Sequence, residues 1–536
     1  MRSLQWIFLF AFLLHCRYQV SAASLDLISP VINSTTAAYN DTSTTTLRRQ
    51  GWTSSPNTRG TIDIIWNSVF TMFLCTWSIL CLNVPGPTDG PWQVLYRRLW
   101  LTALCVLGPE FILLVAFGQW ASARRSVQDF KDADIEGWTM VHAFYADMGG
   151  FVLHTKDDFP PFPVDAKQLL FLITEGLVDK PTVERESIWD RNKTDDLLRL
   201  ITLAQIVWFG VNTIGRAAQG LAITCIELTT GAFIVCNIGT TICWIQKPTD
   251  VQTSEHLKSP YTIKEIVLKM YERLDAEAER GSKSEQESES EQESESERES
   301  EPERRSESKD KTSGERTHYY TRTPLEALSR REWHWSKYWS NWINIIRHCG
   351  FVFEPQRRPV DRFENTIYPF IPDAIYGLLL LISFAYVSLF ILAWDFDFPT
   401  EIERTLWRVA SLIEPGSVIA FWAISEFGFN TYPKLKAKFE QLFPILRRQH
   451  SREGSPKYKS NITKKLQRVA ANLRNNSPGK DPAVDVPLKA LLPIYVLGFV
   501  YCHARTFLFL EDLIELRSLP ASAYLTVNWS AFIPHL

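Results

Sequence analysis

Apolar runs of bilayer length recur along this chain, at Ile62–Leu82, Leu99–Gly118, Leu198–Gly215, Leu221–Ile245, Ala374–Trp394, Leu406–Ile424 and Leu488–Leu510. With 1.5 Å of rise per helical residue, about 20 such residues cover a hydrocarbon core, slightly fewer where the bilayer thins. Backbone polar groups in lipid must be satisfied within their own segment, so the repetition predicts an all-α fold, a polytopic transmembrane helix bundle of about seven spans. The mean hydropathy of −0.11 would suit a soluble protein, but it averages greasy runs with very polar connections.

Net charge is −3 and the Lys and Arg residues are not gathered into one base-reading element, which argues against nucleic acid as a partner. Cys16 lies in the leader, and Cys75, Cys81, Cys105, Cys225, Cys236, Cys243 and Cys502 fall in or at the ends of apolar runs, a placement that suits neither a disulfide framework nor a zinc site. No Walker loop, nucleotide fingerprint, Gly-x-Ser-x-Gly elbow, His-Glu-x-x-His or paired Cys-x-x-Cys is present, and the ten histidines are scattered. The sequence therefore predicts no enzyme, no cofactor and no metal; its partners are the lipid bilayer and, through the loops, other proteins.

Residues 1–23 read as a signal peptide: Arg2, the apolar run Leu4–Leu14, then Ser21-Ala22-Ala23 as a cleavage region, with an uncut signal anchor as the alternative. Either way the Ser/Thr-rich segment 24–61 emerges on the luminal side and offers Asn33 and Asn40 as N-glycosylation sites. The expected location is a secretory-pathway membrane, plasma membrane or endomembrane.

Polar territories divide the rest. Within the N-terminal membrane region 62–245, the loop 119–197 carries Gly137-Trp138-Thr139, His142, Phe144-Tyr145 and Met148-Gly149-Gly150-Phe151, too aromatic for disorder, and is expected to fold against the bundle or the membrane surface. The loop 246–372 opens on Thr262-Ile263-Lys264-Glu265, a capping-box pattern, followed by Ile263, Val267, Met270, Tyr271 and Leu274 on one helical face. It then becomes the Ser/Glu alternation of 282–311, which lacks the apolar area to offset ordering and is expected to be disordered. Ser288, Ser290, Ser294, Ser296 and Ser300 each have Glu three residues on, a context suited to an acidophilic kinase. Trp335, Trp339, Trp342 and Ile346 recur at helical spacing, predicting an interfacial helix over 333–346. A two-span hairpin (373–424), a basic loop (425–487) rich in Lys and Arg, and the last span with its tail (488–536) complete the chain.

Seven full crossings from a luminal N-terminus would leave all three charged segments luminal, against the positive-inside tendency. A plain seven-span bundle that breaks the tendency is the simpler count, and Gly108-Pro109-Glu110 offers a remedy. It sits in the middle of Leu99–Gly118, where Pro removes a donor and Glu is costly in lipid, as in a re-entrant element; the three segments then become cytoplasmic and the sequon at Asn528 luminal. Ionisable groups in spans are kept when paired or functional, and Glu110, Gln205, Arg216, Gln219, Glu227, His503, Arg505 and Glu511 are the candidate intramembrane polar residues. Arg216 and Glu227 are positioned to pair across a hairpin if the break between them is buried.

Trp66-Asn67-Ser68, Cys75-Thr76-Trp77, Leu82-Asn83-Val84-Pro85, Pro109-Glu110, Gln119-Trp120, Arg216 with Gln219-Gly220-Leu221, Glu227-Leu228, Lys247-Pro248, Arg517-Ser518-Leu519-Pro520 and Val527-Asn528-Trp529 together resemble a group of uncharacterised multi-pass membrane proteins of filamentous fungi. Ala222 and Cys81 stand where that pattern usually has Pro and His. The resemblance implies membrane placement and fungal origin and carries no mechanism. The glycosylatable N-terminus, the phosphorylatable linker and the basic loop lead to the expectation of a receptor, sensor or membrane scaffold, with a small-solute or ion transporter using the buried charges as the alternative.

Overall fold

The computed structural model describes residues 49–55, 59–189, 195–249, 251–293, 322–329, 358–365, 373–432 and 488–529, with isolated positions elsewhere such as Tyr338 and Asn341. The leader, Asn33, Asn40, Ser294, Ser296, Ser300, the tryptophans of 333–346 and most of the basic loop lie outside the described residues.

The chain is mostly helical. In order it forms β1 (Arg49–Gln50), α1 (Thr61–Ile79), α2 (Pro91–Leu107), α3 (Pro109–Asp132), α4 (Met140–Asp147), β2 (Phe151–His154), β3 (Phe162–Val164), α5 (Ala166–Thr174), α6 (Arg185–Trp189), α7 (Asp195–Ala218), α8 (Cys225–Cys243), β4 (Glu255–Lys258), α9 (Ile263–Glu293), α10 (Glu326–Ser329), α11 (Asp373–Ser388), α12 (Glu401–Glu426), α13 (Leu488–Ile514) and β5 (Leu519–Pro520). Five helical segments are long and apolar enough to cross a membrane: Thr61–Ile79, Cys225–Cys243, Gly377–Asp395, Glu401–Glu426 and Leu491–Arg517. The run expected at Leu198–Gly215 is helical within α7 and leaves Leu203, Val207, Val211 and Ile214 exposed along it.

The expected span Leu99–Gly118 is not one helix. It breaks at Gly108 into α2 and α3, bent by 112°. Pro109 disfavours helical backbone at the residue before it while sitting without cost at the first position of α3, and Gly108 accordingly has φ −157° and ψ 81°.

The loops that leave the bundle gather into one subdomain, a departure from a purely α fold. β2 pairs antiparallel with β3 and parallel with β4, in the order β3-β2-β4. Phe151, Leu153, Phe162, Val164, Leu169, Leu172, Ile266 and Met270 form its core, with Phe130 from the end of α3 and Leu325 and Leu328 from around α10. Trp138 stacks on Phe130 at 4.0 Å between ring centres. The aromatic richness of 119–197 thus supplies a globular core.

The capping box forms as expected, the Thr262 backbone N–H and hydroxyl donating to Glu265 Oε2 at 2.8 and 3.0 Å. α9 buries Ile266, Val267 and Met270, with Ile263, Tyr271 and Leu274 packed beside them. It runs on to Glu293, so the expected disorder does not begin at Ser282, and Ser288 and Ser290 stand on helix. A nucleated helix propagates readily through Glu-rich sequence, since Glu has good helix propensity.

Contacts order the ends of the bundle. At one end Val84 N–H bonds Met148 O at 3.0 Å, and Lys247 Nζ bonds Cys81 O at 3.2 Å. At the other end β1 pairs antiparallel with β5, Arg59 N–H bonds Tyr524 O at 3.0 Å, and Arg517 pairs with Glu403. Helices α1, α8 and α11 with its 3-10 extension (Leu389–Asp395) each run between these two ends. The bent α2–α3 pair does not: Val84, just before it, and Phe130, near its finish, belong to the same subdomain core.

A buried charged seam in the helical bundle

The apex of the α2–α3 bend is pushed into the middle of the bundle. There the Arg505 guanidinium of α13 lies 3.7 Å from Glu110 of α3 and 3.8 Å from Glu414 of α12, with all three side chains almost wholly buried. Arg505 Nε donates to Leu107 O at 3.3 Å, a carbonyl freed by the break, and Nη2 donates to the Tyr386 hydroxyl of α11. Tyr501, one turn before Arg505, donates its hydroxyl to Glu110 Oε1. Phe390, Tyr386 and Phe509 set their ring faces 4.6, 5.1 and 5.4 Å from the guanidinium carbon, where the π quadrupole favours a cation.

The arrangement is short of both charge and hydrogen bonds. Two carboxylates face one guanidinium, Tyr501 also reaches Glu414, and Glu110 Oε2 and Arg505 Nη1 have no hydrogen-bond partner among the described residues. Pro415 follows Glu414 inside α12, where it removes a backbone donor.

Further along α13 and in the 3-10 turn after it, Glu511, Asp512 and Glu515 are also buried, at 1, 2 and 3 % exposure. Glu515 accepts from Cys225 N–H at 3.1 Å, at the start of α8, where the helix dipole favours an anion. Glu511 Oε1 has no hydrogen-bond partner among the described residues, and Asp512 faces the Thr229 hydroxyl of α8. At 1.5 Å per residue, Arg505 to Glu515 is about 15 Å of helix, roughly half a hydrocarbon core.

The remaining sequence candidates separate. Arg216 and Glu227, expected as partners, are not a salt bridge. Arg216 is 1 % exposed and donates to the carbonyls of Leu525, Ala222, Ser522 and Ala523 at 2.7 to 3.2 Å, fastening the C-terminal segment. Glu227 instead takes Arg59 at 2.5 Å and accepts from Thr224 N–H and hydroxyl at 3.0 and 2.9 Å. Arg59 precedes the first span by two residues, a separation that no local spacing rule detects. Gln205 donates to Asn67 and Thr71 of α1 at 3.1 and 2.9 Å, and Gln219 exchanges two bonds with the Asn528 backbone. His503 is exposed and bonds Phe499 O, one turn back on its own helix. Sequence reading missed Glu414, Asp512, Glu515, Tyr386 and Tyr501. The first three sit in apolar runs or at their ends, so an ionisable residue in a span was the available signal.

A second polar node joins bundle and subdomain. Lys247 Nζ bonds Gln119 Oε1 at 2.9 Å and lies 4.4 Å over the Trp244 ring. Burial pushes its amine down to about 8, against a raising influence from Cys81 and Asp147. Asp147 accepts from Ser122 and from Ala166 N–H at 3.0 and 3.2 Å. Burial, reinforced by Asp165, lifts its carboxyl to about 7. Among the described residues no group of three or more His, Cys, Asp or Glu is placed to hold a metal ion.

Fold and seam define a helical protein with several helices able to span a membrane and an excess of buried acid between them. Residues 31–279 match a family of unknown function (DUF8562), and the chain is similar to that family over this part of its length. No curated protein and no solved structure matches.

Proposed function

We propose that the protein is a multi-pass integral membrane protein that crosses the bilayer six times, with subdomain and basic loop in the cytoplasm, and that its charged seam moves a proton, alone or coupled to a small solute. The pairing of β1 with β5 supports an even number of crossings, because strands that pair must lie on one side. The α2–α3 pair is read as a re-entrant element whose apex delivers Glu110 to Arg505. Lys and Arg of the basic loop then agree with the positive-inside tendency.

The observation that carries the transport reading is the imbalance at Arg505. A brace that only holds helices together gains most when its ions are matched and hydrogen-bonded, since desolvating a charge costs several kcal/mol unless it is compensated. Here one guanidinium serves two carboxylates at 3.7 and 3.8 Å, and Glu110 Oε2 lacks a hydrogen bond. That leaves a negative charge for a mobile proton to neutralise. In vesicles holding the purified protein, an imposed pH gradient should dissipate faster than in empty vesicles, and Glu414→Gln should remove the difference while retaining the folded yield. Equal dissipation with and without protein would end the transport reading.

The receptor or scaffold reading keeps one observation of its own, the folded subdomain that collects three separate loop segments at one end of the bundle. Partners recovered with the intact chain and lost on deletion of 282–311 and 425–487 would favour it.

A further inference from the structure

Away from the seam, the parallel pairing of β2 with β4 brings together two histidines that are 102 residues apart in sequence. The register sets Val152 opposite His256 and His154 opposite Lys258, so that all four occupy the face turned away from the subdomain core. His154 Nε2 and His256 Nδ1 stand 2.8 Å apart, with ring centres at 4.9 Å. One nitrogen donates a proton to the other, which requires both rings not to be charged at once. Burial, then the neighbouring His256 and Lys258, holds the His154 imidazole below its ordinary range.

We propose that His154 and His256 form a two-imidazole binding site for a divalent transition-metal ion of the zinc, nickel or copper class. Two nitrogens bound to a tetrahedral ion at about 2.0–2.1 Å lie about 3.3 Å apart, so the pair need open by only a few tenths of an ångström for an ion to replace the shared proton. The ladder between β2 and β4 holds both rings in place beforehand. His256 is exposed, giving the ion access, and the remaining coordination positions face solvent. Two protein ligands suit a labile site rather than a closed structural one, which takes four. Two imidazole ligands favour a metal of that class over calcium or magnesium, which take oxygen ligands, while Lys258 on the same face opposes the charge of any cation bound there.

Zinc chloride titrated into the full chain in detergent at about pH 7.5, followed by calorimetry, should show one saturable site per chain. His154→Gln and His256→Gln should each weaken binding by roughly tenfold or more, and His503→Gln, on α13, should leave it unchanged. Absence of saturable binding, or binding unaltered in both His154→Gln and His256→Gln, would overturn the proposal. His256 is exposed, so its variant tests the site even if the partner variant fails to fold.

Discussion

Individual ionisable residues in this protein are set by what surrounds them, and Asp147 shows the consequence for pH. Its carboxyl titrates at about 7 in the folded chain against an ordinary value of 3.8. Between those values the folded state holds a proton that the unfolded state has lost, so stability falls as pH rises from about 4 to about 7 and then levels. Lys247 acts in the opposite sense. With its amine at about 8 rather than 10.5, stability rises again as pH climbs from about 8 to about 10.5. Thermal unfolding followed across this range should show its minimum near pH 7 to 8, and Asp147→Asn should flatten the acid-side limb alone. An unchanged limb in that variant would show that Asp147 is ionised in the folded protein throughout. Arg216 and Glu227 teach a related lesson, because each found partners remote in sequence, carbonyls of 522–525 for one and Arg59 for the other.

Among the elements, the α2–α3 bend decides most. A Cβ at Gly108 would run into the Phe111 ring, and that ring meets Tyr501 edge-on at 6.1 Å, next to the Glu110 carboxylate. Gly108→Ala is therefore expected to destabilise the bundle by about 1–3 kcal/mol, the usual range for overpacking. Gly210 of α7 has nothing within 4 Å of an added Cβ, so Gly210→Ala should be neutral or stabilising by up to about 1 kcal/mol through helix propensity. Melting temperatures of the two variants in one detergent make the comparison, and equal values would remove the steric account of the bend.

For the whole molecule, the ordering of the bundle ends predicts which sites share a compartment. Arg49–Gln50 pairs with Leu519–Pro520, so Asn528 should be modified from the same side as Asn33 and Asn40. Engineered glycosylation or cysteine labelling at Asn192 and Asn461 should report the opposite side. Luminal modification at Asn461 together with Asn528 would break the six-crossing arrangement.

Length and hydrophobic pattern by themselves determined the helical class, the positions of the apolar runs and the capping box at Thr262, and they made a break at Gly108-Pro109-Glu110 one of two readings, because each depends on residues within a turn or two of one another. Glu110 and Arg505 were legible as costly groups in apolar surroundings, though not as neighbours. Only the tertiary structure decided that they meet, that Glu414 and Tyr501 join them, that Arg59 takes Glu227, and that loops from three parts of the chain share one core. Pairing across hundreds of residues depends on how helices pack and on which bend returns the chain to its starting end, and neither leaves a local trace. The parallel strands that juxtapose His154 and His256 carry the same lesson, since four-residue strands inside long loops have too little pattern to reveal a partner.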